Sequence, residues 1–423
     1  MPGPLENIKI MEFSEYIAGP FAGMLLSDMG AEILKIEPLW GDPWRHSASF
    51  IPNESQNFIS LNRGKKSLPL DLNKPEAREI VYKLVGEYDV VIVNARPGVT
   101  QKLGIDYESL SSRKPDIVYC DNTAFGRSGP ESDRPGYDLI AQAVTGLMAS
   151  EAKINDHLPL RIQSTAITDF ATGLAMALGI CSALYHRAKT GQGQMVETNL
   201  LATALGIQTS NVTQIEAIHK EPRENFLRTL SSMRNNGSHF EDIIEEYRQQ
   251  LSPWRERDPF YRAYQCLDGV IVVGCLNDNL RKKMLDLTGL EDPRFHKEFD
   301  SEKEDFEALN TELSKNASEV FKEKSTDYWL NLFEKEKLPA APVRFPEELF
   351  ADEQVLANNL IVEMEHTLAG CIKMPGPILK MSETPLQAIK PSPSLGEDTF
   401  NILQSLGYTP KQVDDLVNKK VTL

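Results

Sequence analysis

A chain of 423 residues is longer than one hydrophobic core usually serves, so two domains are expected. Its 41% hydrophobic and 25% charged residues fit a soluble globular protein and exclude a disordered one. A formal charge of −16 argues against a nucleic-acid partner and an anionic membrane surface, while leaving room for a small polyanion wherever basic residues gather locally.

The N-terminus, MPGPLENIKIMEF, lacks a charged-then-apolar signal pattern, and no uninterrupted apolar run reaches transmembrane length. The five cysteines (Cys120, Cys181, Cys266, Cys275, Cys371) are scattered, with no CxxC and no clustered histidine. A reducing, cytoplasmic setting follows as the expectation, with neither a disulfide framework nor a zinc site. Cys181, on an apolar helical face, reads as a small buried hydrophobe.

The elements then run in α/β order. IKIMEF is a short apolar strand, GPFAGMLLSDMG a glycine turn leading into a helix, and AEILKIEP a second strand closed by Pro38. Strand, turn, helix and strand within about 30 residues make a βαβ unit and imply a parallel sheet. KPEAREIVYKLVGEY repeats the helix, with Pro75 near its first turn, and DVVIVN repeats the buried strand. A helical ESLSSRKP and the strand DIVYCDNTAF complete a doubly wound pattern. Residues 137–148 and 170–187 read as helices, the second stopped by KTGQGQ, and MVETNLLATALGIQTSNVTQIEA as a further helical stretch. HKEPRENFLRTLSSMRNNGSH is polar and aperiodic, as a hinge or linker would be. PFYRAYQCLDGVIVVGC then reads as two strands around an Asp268-Gly269 turn, followed by charged helices from about 278 to 337. The expected division is 1–224 for the N-terminal part of a large domain, 225–335 for a small one, and 336–423 for a C-terminal segment ending in two helices.

Two nucleotide motifs fail. Gly19-Pro20-Phe21-Ala22-Gly23 lacks the middle glycine of a dinucleotide fingerprint, so Glu37, at the end of the second strand, reads as a solvated strand end rather than a ribose ligand. Gly64-Lys65-Lys66-Ser67 lacks the upstream glycine of a P-loop and carries its serine one place late. Two basic clusters remain: Arg63, Lys65 and Lys66 before LPLDL, and Asn94, Arg96 and Lys102 at the carboxyl end of a parallel strand. Either suits phosphate groups, and either also suits a solvated basic face. His186, at a helix end, has no catalytic company.

Asp169 opens the long apolar helix in LRIQSTAITDFATGLAMALGICSALYHRAKTGQGQ. An ionised, partly hydrated carboxylate there can attack a thioester carbonyl and form a mixed anhydride. It can equally be a helix cap. Asp138 carries the same capping alternative, and Tyr137 beside it the alternative of simple packing.

Together, AGPFAGMLLSDMGAEILKIEP, LNRGKKSLPLDL, VVIVNARPGVTQKLGIDYESL, GYDLIAQAVTGLM, TDFATGLAMALGICSALYHRAKTGQGQMVETNLL and GEDTFNILQSLGY resemble the class III coenzyme A transferases, the group with formyl-CoA:oxalate and carnitine-type members. The resemblance implies an interlocked homodimer, each chain with a Rossmann-like large domain and a smaller α+β domain. It implies that Asp169 is the nucleophile, and that Leu70, Asp71, Asn73, Asn94, Ala95, Arg96, Lys102, Tyr137 and Asp138 contact coenzyme A. The substrates would be an acyl-CoA thioester (succinyl-CoA by family habit) and a small carboxylic acid, with no permanently bound cofactor and no metal. The related α-methylacyl-CoA racemases carry a histidine where this chain has Tyr137, and tyrosine titrates too high to shuttle protons near neutrality, which disfavours racemisation. Ile17 stands where formyl-CoA transferases have a glutamine, and their glycine-rich loop has no counterpart, which disfavours formyl and oxalyl transfer. Pro38 replaces a CoA-binding arginine. An acyl-CoA racemase and a catalytically silent CoA binder are the alternative readings. Gly173, one turn beyond Asp169, is expected to leave room for an acyl group.

Overall fold

The computed structural model describes residues 2–251, 258–297, 299 and 306–423. Six strands, Lys9–Phe13 (β1), Glu32–Glu37 (β2), Lys65–Pro69 (β3), Val90–Val93 (β4), Val118–Thr123 (β5) and Gln194–Asn199 (β6), pair in parallel in the order β6-β5-β4-β1-β2-β3. Alternate side chains point to opposite faces, and both faces are covered. Ile10, Ile33, Val90, Ile92, Val118 and Cys120 pack under helices Ala18–Asp28 (α1) and Ile167–Thr190 (α4). Met11, Leu34, Val91, Val93 and Tyr119 pack under Pro75–Val85 (α2) and the C-terminal helices Thr399–Ser405 (α5) and Pro410–Asn418 (α6). Asp138–Val144 (α3) lies between β5 and α4 in sequence.

The chain winds outward from β1 to β3, then returns to the other side of β1 for β4, β5 and β6. The order therefore reverses between β1 and β4. Loops leaving the carboxyl ends of adjacent strands diverge at such a point and leave a crevice.

The chain divides into two compact units, Met1–Gln214 with Gln354–Leu423, and Ile215–Glu353. These limits differ from the expected 224/225 and 335/336. The polar stretch expected to be a linker is a helix, Glu216–Asn235, that runs through residue 225 with Pro222 inside it. Only Phe226 of that helix is buried, and the short Phe226, Leu230, Met233 spacing is diluted by Pro222 and by the charged residues around it. In the second unit, Tyr261–Gln265, Val270–Gly274 and Ala340–Pro342 form an antiparallel sheet over a core that includes Tyr264, Phe321, Trp329 and Phe333. Within the expected run of charged helices from 278 to 337, residues 298 and 300–305 lie outside the described residues.

Two other expectations change. The MVETN stretch is an edge strand, β6, and the helix that follows it, Leu200–Gln208, ends before a separate helix starts at Glu216. The glycines of GPFAG lie inside α1 rather than in a turn before it. A Cβ at Gly23 would collide with the buried Glu12 carboxylate, so glycine there sets how closely α1 approaches β1.

Candidate active site

A cavity of about 1090 Å³ opens at the carboxyl ends of the parallel strands, spanning the point where the strand order reverses. Its wall takes Glu15–Ile17 after β1, Pro38–Trp40 after β2, Leu70–Asn73 after β3, Asn94–Pro97 after β4, and Tyr137, Asp138, Arg161 and Asp169 from the segments that follow β5. It is larger than a drug-sized pocket requires, so an extended ligand fits.

Asp169 faces this cavity as the third residue of α4, whose N-cap is Ala166; it is therefore not the cap. Capping falls to Asp138. Its Oδ1 accepts from the Thr168 backbone N–H at 2.8 Å and from the Thr168 hydroxyl at 2.7 Å. Its Oδ2 accepts from Gln142 Nε2 at 2.6 Å, and Gln142 Oε1 accepts from the Ile162 N–H at 2.9 Å. One buried carboxylate thus ties α3, the 160s loop and the first turn of α4 together.

No described residue donates a hydrogen bond to the Asp169 carboxylate. Burial, followed by the nearby Asp138 charge, pushes Asp169 up to about 7. Both causes act against the ionised form that a helix N-terminus favours. Gly173 is also reassigned. A Cβ there would lie 2.8 Å from the Ala18 carbonyl oxygen and 2.8 Å from the Phe21 ring, so glycine at 173 serves the crossing of α4 with α1 rather than an acyl group.

The loop after β1 carries strain. Tyr16 has a φ of 65°, a left-handed backbone that costs a tyrosine about 1–2 kcal/mol. Its N–H donates to Asp42 Oδ1 at 3.3 Å, and its ring meets Trp44 and Tyr137 edge to face at 5.5 and 5.7 Å. Burial and the Asp42 charge push the neighbouring Glu15 carboxyl above its usual range. Asn94 spends both ends of its amide on Glu15, accepting from its N–H at 3.0 Å and donating to its carbonyl at 2.7 Å. Asn94 thereby holds the β1 loop against the β4 loop.

The cavity floor is a buried charge network. Lys35 reaches Glu12 at 3.0 Å and Asp42 at 2.9 Å, and Lys65 reaches Glu12 at 2.8 Å. Arg45 grips Glu37 through both carboxylate oxygens at 2.8 and 3.0 Å, and Ser67 donates to the same carboxylate. Glu37 is therefore a buried, fully engaged ion-pair partner, not a solvated strand end. The cluster at 63–66 is not a phosphate site either. Arg63 pairs with buried Asp28 at 2.6 Å, Lys65 is inside, and Lys66 pairs at the surface with Glu32.

Of the residues the sequence pointed to, Leu70, Asp71, Asn73, Asn94, Ala95, Arg96, Tyr137, Asp138 and Asp169 all line the one cavity. Lys102 is exposed and lies outside the lining. Asp71 accepts from the Asn73 backbone and amide at 3.2 and 3.1 Å, which shapes the β3 loop. The sequence reading missed Tyr16, Gln142 and Arg161. A positive φ on tyrosine leaves no sequence signal, whereas Gln142 stands one helical turn after Asp138, a spacing that brings side chains together.

The profile described as CoA-transferase family III matches residues 5–399 of the chain. Human succinyl-CoA:glutarate CoA-transferase is 34% identical over 424 residues, covering 99% of this chain and 90% of that protein. Succinate–glutarate CoA-transferase of Agrobacterium fabrum is 31% identical over 425 residues, covering 95% and 96%. The crystal structure of a CAIB/BAIF family protein from Brucella suis superposes with a TM-score of 0.74 at 28% identity, covering 96% of this chain and all of that one.

Proposed function

We propose that this chain, which belongs to CoA-transferase family III and is a CoA-transferase, moves coenzyme A from an acyl-CoA to a free carboxylic acid through covalent intermediates on Asp169. The observation that carries this reading is an Asp169 carboxylate without a hydrogen-bond donor among the described residues, facing a cavity large enough for a thioester. In the first step a carboxylate oxygen of Asp169 attacks the thioester carbonyl; the C–S bond breaks, giving an aspartyl-acyl anhydride and a CoA thiolate. The thiolate attacks the aspartyl carbonyl and releases the first acid as its carboxylate. The acceptor carboxylate attacks the resulting enzyme thioester, expelling the thiolate again. The thiolate then takes the acceptor's acyl carbon and frees Asp169. The exchanged bonds are similar in energy, so catalysis depends on position and on excluding water. A carboxylate that is poorly hydrated and not hydrogen-bonded is a stronger nucleophile than a solvated one, which suits Asp169 to the first attack.

Coenzyme A lies along the strand-end loops, against Leu70, Asp71, Asn73, Ala95, Arg96 and Tyr137, in a wall shaped by Asn94 and Asp138. Arg96 stands ready for its phosphates, with Pro38 contributing no charge; Lys102 belongs to the proposal as an exposed cation beyond that wall. Succinyl-CoA is the proposed donor, in keeping with the names of the human and Agrobacterium relatives. Racemisation and silent binding are not favoured beside relatives named as transferases.

The working form is proposed to be an interlocked homodimer. Leu174, Leu178 and Tyr185 are 47%, 70% and 64% exposed on α4, an apolar face that a second copy would cover. A cytoplasmic location is proposed on five unpaired cysteines, which suit a reducing compartment. Incubation with succinyl-CoA and a panel of free acids tests the reaction: formation of a new acyl-CoA supports it, and hydrolysis alone or no turnover rejects it.

A further inference from the structure

We propose that Arg161 binds the distal carboxylate of a dicarboxylic substrate and so selects diacids over monoacids; this rests on the CoA-transfer reading above. Four cations line the cavity: Lys35, Arg96, Arg134 and Arg161. Lys35 is consumed by Glu12, Asp42 and the Ser14 carbonyl. Arg134 pairs with Glu131 at 2.7 Å and lies over the Phe125 ring. Arg96 stands on the β4 loop, where coenzyme A is placed. Arg161 is exposed and has no carboxylate partner among the described residues, although the chain carries 61 acidic residues. A guanidinium left open in an acidic protein presents a fork of donors matched to one carboxylate.

Its placement relative to the reacting centre is built in. Arg161 precedes Ile162, whose N–H is held by Gln142; Gln142 is bonded to Asp138, and Asp138 caps the turn that carries Asp169. The cation and the nucleophile therefore share one hydrogen-bonded frame. The carboxyl group that reacts passes through thioester and anhydride forms. The far carboxylate of a diacid stays anionic at every step. A permanent cation suits this constant charge, and its contact is equally strong in the ground state and the transition state. Such uniform binding lowers KM and leaves kcat largely unchanged.

The test measures steady-state kinetics for Arg161→Ala and Arg161→Lys with glutarate and with butyrate as acceptors, beside direct calorimetric binding of both acids to the same proteins. The proposal expects Arg161→Ala to raise KM for glutarate about 10- to 100-fold, the worth of one charged hydrogen-bonded contact. With succinyl-CoA saturating, kcat should hold and the KM for butyrate should be unaffected, the KM for succinyl-CoA should rise with that for glutarate, and Arg161→Lys should recover part of the loss. An unchanged ratio of glutarate to butyrate, with transfer by the wild type intact, overturns the role of Arg161 and leaves CoA transfer standing. Wild-type protein that transfers to no acid, yet loses glutarate binding in Arg161→Ala, keeps the diacid site and rejects the CoA-transfer reading. Equal binding of glutarate by wild type and Arg161→Ala rejects the site itself.

Discussion

Asp138 caps the helix that carries Asp169 and at the same time raises the pKa of Asp169. The same carboxylate that accepts two hydrogen bonds from Thr168, at 2.8 and 2.7 Å, places a like charge beside Asp169. One residue therefore fixes the position of the proposed nucleophile and tunes its charge.

The pH dependence follows from that tuning. Burial and the Asp138 charge push Asp169 up to about 7 in the folded protein, and in the proposed mechanism only its ionised form attacks. Acylation by an acyl-CoA should rise as pH increases through about 7 and level off above it. Single-turnover rates between pH 5.5 and 8.5, a span chosen about that value, check this; a rate already flat at the acid end contradicts it.

Stability should move in the opposite direction. The folded pKa is raised above the ordinary Asp value, so the contribution of Asp169 to stability is fully present below the unfolded pKa and is lost as pH rises through the folded pKa. Asp169→Asn should therefore stabilise the protein at pH 8, on the order of 2 kcal/mol after discounting for solvent screening, with no comparable gain near pH 4. Denaturant melts at the two pH values measure the difference.

Replacing Asp138 separates its two roles. Asp138→Asn keeps an oxygen able to accept from Thr168 but removes the charge and turns an N–H group toward Gln142 Nε2 in place of an acceptor, so the acylation profile should shift to lower pH with some loss of stability. Asp138→Ala also removes the cap and should cost about 1–2 kcal/mol more in stability. A pH profile unmoved by Asp138→Asn would show that the like charge is not felt at Asp169.

Gly173→Ala should destabilise by about 1–3 kcal/mol, because the added methyl meets the Ala18 carbonyl and the Phe21 ring across the helix crossing. Thermal denaturation reads the effect. Loss of activity with an unchanged melting temperature would instead place Gly173 against the substrate.

Much of this architecture was legible in sequence, for physical reasons that also mark where legibility stopped. β1, β2, β4 and β5 are buried on both faces, so each carries a short apolar core (Ile10–Met11, Ile33–Leu34, Val90–Val93, Val118–Cys120) that is legible between turns. β6 is an edge strand with a half-exposed face, and MVETN merged with the helix beyond it. Among the residues that line the cavity, Leu70, Asp71 and Asn73 after β3 and Asn94, Ala95 and Arg96 after β4 were reached through the family resemblance, whereas Tyr16, after the equally recognisable β1, was not. What the sequence concealed was pairing over distance. Glu37 looked solvated because nothing local announces Arg45 as its buried partner. Lys65 looked like part of a basic face because Glu12, far away in sequence, was invisible to it. Asp138 and Asp169 each looked like a cap of its own helix, and only their juxtaposition shows that Asp138 serves the helix of Asp169.

The most direct test of the central claim is mass spectrometry of the protein incubated with succinyl-CoA and quenched with hydroxylamine. The account predicts a hydroxamate confined to the peptide that carries Asp169, absent in Asp169→Asn and absent without the thioester. An unmodified Asp169 in protein that still transfers coenzyme A, or a modification on another residue, would contradict it.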